Sequence, residues 1–167
     1  GAEVERILAG LLEVSDQLDA ELMVTTSRRT TPRVESRLAE LLGKHPRCRL
    51  LALVNQRRPG PLPDTATAVP CILELADVLV VSGDSISMVS EAMATNKPVV
   101  SFPPKTSKSR ETKYHRFLRQ MDEKGRLRVA RADQVGQSVI EAANGSRVPK
   151  PAPREQDPAV ECLRGWV

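Results

Sequence analysis

Three groups of residues in this chain carry side chains suited to holding an anion. The stretch Ser82-Gly83-Asp84-Ser85-Ile86-Ser87 follows the apolar run Val78-Leu79-Val80-Val81 and precedes Val89, Ala92 and Met93 at helical spacing. It therefore reads as strand, tight polar turn and helix. Such a turn sets backbone N–H groups and the hydroxyls of Ser85 and Ser87 at the positive end of a helix, where a phosphate-like anion is stabilised. Asp84, Ser87 and Glu91 are three and four positions apart, so they share one helix face opening toward the turn. Ser27, Arg28 and Arg29 stand just past the first core strand, where an open parallel sheet has its ligand crevice and where guanidinium forks match oxyanions. The third group is the basic loop Lys105-Thr106-Ser107-Lys108-Ser109-Arg110 after the fourth strand, in which Lys105 and Lys108 could cover a bound anion.

Each group also has an ordinary reading. Asp84 or Ser85 is a natural helix cap, Glu91 a solvated helix glutamate, Arg28 and Arg29 two solvated cations of a polar loop, and a Lys/Ser run a solvated segment. Capping and anion binding are compatible at the same turn. No Ser-His-Asp set, metal-ligand cluster or Walker-type phosphate loop can be assembled, and the lone Gly83 is no dinucleotide fingerprint. The sequence thus implies no catalytic residue, no metal and no nicotinamide cofactor. His45, beside Pro46 at a helix end, reads as a C-terminal cap, and His115 points outward with Tyr114 in the apolar stripe. Cys48, Cys71 and Cys162 are odd in number and far apart, which predicts reduced thiols in place of a disulfide framework.

With 167 residues, the chain is long enough to build a core without staples. Hydrophobic residues at 40% and charged residues at 28% place it among soluble globular proteins, while 2% aromatics make that core aliphatic. Lys and Arg exceed Asp and Glu by 25 to 21, an excess that favours anionic partners. Single-stranded nucleic acid wants exposed aromatics on a basic groove, and only Phe102, Tyr114, Phe117 and Trp166 are available; that shortage lowers a third reading, a basic nucleic-acid-binding module, and no nucleic acid partner is expected. No apolar run is long enough to cross a bilayer and no signal peptide is visible, from which a cytoplasmic location is expected.

The elements that position these groups follow from periodicity. Val4, Ile7, Leu8, Leu11 and Leu12 mark an opening amphipathic helix to about Leu18. Leu22-Met23-Val24-Thr25 is the first strand, Thr31-Pro32 caps a second helix striped by Val34, Leu38, Leu41 and Leu42, and Arg49 opens the second strand. Residues 55–70, with Pro59, Pro61, Pro63 and Pro70, read as a long exposed loop, and residues 71–76 as a short helix. After the central unit come a strand at Lys97-Pro98-Val99-Val100-Ser101-Phe102, a helix from Tyr114 closed by Gly125, a fifth strand at Leu127-Arg128-Val129-Ala130, and a helix carrying Val135, Val139, Ile140 and Ala143. Alternating strands and helices predict an α/β domain over residues 1–145: a Rossmann-like parallel sheet of five or six strands with helices on both faces. Residues 146–167 read as a proline-rich tail in which Asp157-Pro158 could cap a short helix to Trp166.

Two blocks, Thr25-Thr26-Ser27-Arg28-Arg29-Thr30-Thr31-Pro32 and Gly83-Asp84-Ser85-Ile86-Ser87-Met88-Val89-Ser90-Glu91-Ala92, together with Asn96-Lys97-Pro98-Val99, resemble the mitochondrial-fission (elongated-mitochondria) family of GT-B-like proteins. The likeness runs from about Leu22 to Leu127. The shorter pattern from Ser87 through Ser90-Glu91-Ala92 to Lys97-Pro98-Val99 is similar, more loosely, to bacterial cell-wall glucosaminyl transferases and nucleotide-sugar 2-epimerases.

The resemblance implies the C-terminal half of a GT-B fold, which holds a nucleotide-diphosphate sugar at its strand ends. It implies that Glu91 accepts hydrogen bonds from ribose hydroxyls, that Asp84, Ser85 and Ser87 lie at the diphosphate, and that Ser27, Arg28 and Arg29 stabilise that diphosphate electrostatically. A separate N-terminal domain would then carry the acceptor site, with the tail crossing to it, and this chain is expected to bind its ligand without turning it over. The alternative is a GT-B-derived scaffold acting through protein contacts, including homo-oligomerisation through the exposed apolar helix face near Val4–Leu12 or through the tail.

Overall fold

The computed structural model describes residues 2–55, 65–103 and 112–145 of the chain. In chain order its elements are α1 (Ala2–Gln17), β1 (Leu22–Thr25), α2 (Pro32–Leu42), β2 (Cys48–Ala52), α3 (Thr65–Leu75) and β3 (Leu79–Ser82). They continue with α4 (Ile86–Ala94), β4 (Val99–Phe102), α5 (Lys113–Glu123), β5 (Arg128–Val129) and α6 (Val135–Gly145). They form two compact units, one made of the described part of Asp19–Ala76, the other joining Ala2–Leu18 to the described part of Asp77–Arg147.

In the first unit β1 and β2 pair in parallel, with Met23 opposite Leu50 and Thr25 opposite Ala52. Leu50, Ala52 and Ala68 form its buried centre, with Met23 and Ile72 packed against them. Pro32 opens α2, where its missing N–H costs nothing, and the helix buries Glu35, Leu38 and Leu42. These three recur at i, i+3 and i+7, so a carboxylate occupies a position on the apolar stripe.

α3 corrects one expectation. It begins at Thr65, inside the stretch read as loop, and runs through Pro70. Proline cannot donate to the carbonyl four residues earlier, which is why it reads as a breaker. Here Pro70 is exposed while Ala68 and Cys71 are buried, so the ring lies on the solvent side and burial of the opposite face sustains the helix.

In the second unit β3, β4 and β5 form a parallel sheet with β4 central. Val99, Val100 and Ser101 are all buried, as a strand covered on both faces requires. The Ser101 hydroxyl donates to Val81 O at 2.9 Å, satisfying a polar group in an aliphatic interior. Ile7, Val14, Val100, Ala130, Val135 and Val139 make one core cluster, so α1 is packed into this unit through α6. The apolar face around Val4–Leu12, expected to be free for oligomer contacts, is thus used internally: Ile7 and Leu8 are buried.

The α/β class with parallel pairing is observed. The five strands of the described residues are divided between a two-stranded and a three-stranded sheet, where the sequence predicts one sheet of five or six. Hydrophobic runs identify strands but not which edges pair, because pairing is decided by ladder bonds between segments distant in the chain. Cys48 is a free thiol, as expected, whereas Cys71 is disulfide-bonded, against expectation. The tail at 146–167 lies outside the described residues.

Candidate functional site

The turn after β3 is built by close packing. Gly83 donates its N–H to Phe102 O at 2.9 Å, which ties the end of β3 to the end of β4. It is buried, and a Cβ there would collide with Leu118 Cδ1 and stand 3.0 Å from Phe102 O. Any side chain there would require Leu118 to shift. Ser85 is extended at φ −128°, and its hydroxyl accepts the Met88 N–H at 3.4 Å, so it caps α4 as the sequence allowed. That cap takes one N–H of the first turn and leaves those of Ile86 and Ser87 without an intrahelical acceptor. Ser87 and Glu91, four residues apart on α4, are both exposed, and Asp84 and Ser85 are half-buried.

The loop after β1 is held from below. Thr26 donates its hydroxyl to Glu35 Oε1 at 2.5 Å, and Thr26 Oγ1 accepts the Val54 N–H at 3.0 Å. Glu35 is fully buried; its Oε2 accepts the Asn55 N–H at 3.0 Å, and its Oε1 takes the Asn55 side-chain amide at 3.3 Å. Asn55 in turn donates Nδ2 to Thr30 O at 2.9 Å. Above this network the loop closes on itself: the Ser27 N–H donates to Thr30 Oγ1 at 3.1 Å, the Arg29 N–H to Ser27 Oγ at 3.2 Å, and the Thr30 N–H to Ser27 O at 2.9 Å. Ser27, Arg28 and Arg29 are exposed on it.

Asp84, Ser85 and Ser87 lie at the start of α4 in the second unit with Glu91 one turn further along the helix, and Ser27, Arg28 and Arg29 form one loop of the first. Lys105 and Lys108 lie outside the described residues. Glu35 and Asn55 were not singled out by sequence; the available signal was a glutamate in register with Leu38 and Leu42, since a carboxylate on an apolar stripe must be hydrogen-bonded to stay there. His45 does not cap α2 with its ring: Gly43 ends that helix, and His45 Nδ1 accepts the Arg47 N–H at 3.2 Å. His115 is half-buried and hydrogen-bonded through Nδ1 to the Thr112 hydroxyl at 2.6 Å. Among the described residues no group of three or more His, Cys, Asp or Glu could hold a metal ion, and no helix is long and apolar enough to cross a membrane.

A family model described as Mitochondrial fission ELM1 matches residues 1–148, well over half of the chain. The chain belongs to the mitochondrial fission ELM1 family. No curated protein and no solved structure matches it. The part of the chain matched as mitochondrial fission ELM1 contains both loops described above and every candidate residue from Ser27 to Lys108.

Proposed function

We propose that the chain is the nucleotide-diphosphate-sugar-binding half of a GT-B-type glycosyltransferase or epimerase-like protein, a Rossmann-like C-terminal donor-binding domain acting in the cytoplasm. The observation that carries this reading is the turn at 83–87. Gly83, packed against Leu118 and Phe102 O, brings the ends of two parallel strands to the start of α4, the edge at which open α/β sheets take their ligands. Ser85 caps the helix without consuming the N–H groups of Ile86 and Ser87, which remain for phosphate oxygens. Glu91 lies one turn beyond Ser87 on the exposed side of α4, and a carboxylate there accepts two hydroxyls of a ribose diol.

The loop at 27–30, in the first unit, is taken by itself as a candidate for anion contacts. Its hydroxyls are engaged in shaping the backbone, so the guanidinium groups of Arg28 and Arg29 bear the charge. Glu35, the acidic residue nearest in sequence, is buried, while Arg28 and Arg29 are exposed on the loop, and guanidinium forks match the oxygens of a diphosphate.

Isothermal titration of the whole chain with uridine and guanosine diphosphates tests the proposal. Saturable binding of one of them is expected, weakened about tenfold or more by Arg28→Ala with Arg29→Ala through lost charge-assisted bonds. Glu91→Gln is expected to weaken the nucleoside diphosphate but not inorganic pyrophosphate, which has no ribose. Absence of binding by any nucleoside diphosphate overturns the reading and leaves the scaffold alternative.

A further inference from the structure

We infer that Glu35 is a positioning residue: through Thr26 and Asn55 it fixes the backbone of the loop at 27–30, and so the direction in which Arg28 and Arg29 meet an anion. The inference rests on the proposed function for its ligand, but the loop-holding part stands on geometry alone. Glu35 is fully buried, yet no arginine or lysine is bonded to its carboxylate among the described hydrogen bonds and ion pairs. Its partners are a hydroxyl, a backbone amide and a side-chain amide. Burying a carboxylate is costly unless such donors converge on it, so these groups are locked relative to one another.

The consequence passes along a short chain of bonds. Asn55 uses the same Nδ2 to reach Glu35 and the Thr30 carbonyl. Thr30 and Ser27 close the turn reciprocally, and Ser27 Oγ receives the Arg29 N–H. A plain core residue at position 35 would fill the space but could not orient Asn55. The carboxylate is therefore needed for the loop, not for packing.

The test uses the whole chain with Glu35→Gln and, because burial makes that variant prone to misfolding, the exposed Asn55→Ala. Hydrogen exchange is read at the Arg29 and Thr30 amides, with Val24 in β1 as the reference, alongside binding of inorganic pyrophosphate. Exchange at Arg29 and Thr30 faster by about tenfold or more in Asn55→Ala, the size of a lost hydrogen bond, with Val24 unchanged, is the expected result. Pyrophosphate affinity is expected to fall by a similar factor, and Asn55→Asp to recover neither property, since it loses the amide donor. Unchanged exchange in both variants overturns the inference, as does unchanged pyrophosphate binding in a protein whose binding needs Arg28 and Arg29. If the unaltered chain binds no pyrophosphate, the anion-binding reading fails, and the exchange measurement decides the loop-holding role by itself.

Discussion

Gly136 of α6 meets Gly10 of α1 backbone to backbone: a Cβ on Gly136 would stand 2.9 Å from Gly10 O, whereas one on Gly10 would stand 3.6 Å from the nearest atoms of Gly136. The pair is unequal, and opposite outcomes follow. Gly136→Ala drives a methyl into a carbonyl that cannot rotate away, and is expected to cost about 1–3 kcal/mol as overpacking. Gly10→Ala meets ordinary van der Waals contact in mid-helix and should gain up to about 1 kcal/mol of helix propensity. Urea denaturation checks both: the midpoint falls for the first and holds or rises for the second. Equal destabilisation would mean that α1 and α6 do not approach as described.

The same logic applies to Gly83, where the obstacle is partly a side chain. Leu118 is 1% exposed and has little room to retreat, so Gly83→Ala is expected to lose about 1–3 kcal/mol. Leu118→Ala alone should cost about 2–5 kcal/mol by opening a cavity. Combined, the two are expected to cost less than their sum, because the cavity admits the new methyl. A double-mutant cycle with coupling near zero would separate Gly83 from Leu118, leaving only the contact with Phe102 O.

How much of this could be read from the chain differs from residue to residue. Ser85, Thr31 and Gly125 carry local signals, and the first two stand at N-caps while Gly125, at φ +65°, follows α5. The candidate anion residues were visible for the same reason: a turn between an apolar run and a helix is a local pattern. Glu35 was legible only in part, since its register with Leu38 and Leu42 is local but its partners Thr26 and Asn55 are nine and twenty residues away. Pro70 misled because its local cost is outweighed by burial of Ala68 and Cys71. Strand pairing was least legible, for β1 and β2 join through bonds that no short window contains.

Asn96 is a local feature with a measurable cost. It follows α4 with φ +57°, a left-handed conformation that asparagine tolerates and β-branched residues resist. Its N–H donates to Met93 O at 3.2 Å, so the backbone there terminates the helix. Asn96→Gly is expected to leave stability within about 0.5 kcal/mol, and Asn96→Ala to lose about 1 kcal/mol. Asn96→Val should lose more. Thermal melts of the three variants give the order Gly, Ala, Val; a valine variant as stable as the glycine one would refute the strained backbone.

Cys48 gives a dependence on pH. Burial pushes its thiol above the ordinary value of 9.0, with backbone hydrogen bonding at Leu50 pulling the other way. The folded chain therefore keeps its proton at a pH where the unfolded chain has begun to lose it. Stability from this group is fully present below the ordinary thiol value and is lost as pH rises through the higher folded one. Cys48→Ser removes the titration, because a serine hydroxyl does not ionise in this range. The difference in unfolding free energy between the unaltered chain and Cys48→Ser is expected to be constant from pH 6 to about pH 8 and to shrink above about pH 9, the region set by the reference thiol. Alkylation of native Cys48 by iodoacetamide should also be slower at pH 8 than that of the unfolded chain, since the thiolate is the reacting form. A difference in stability that grows with alkaline pH would show the opposite sign, with the thiolate favoured in the fold.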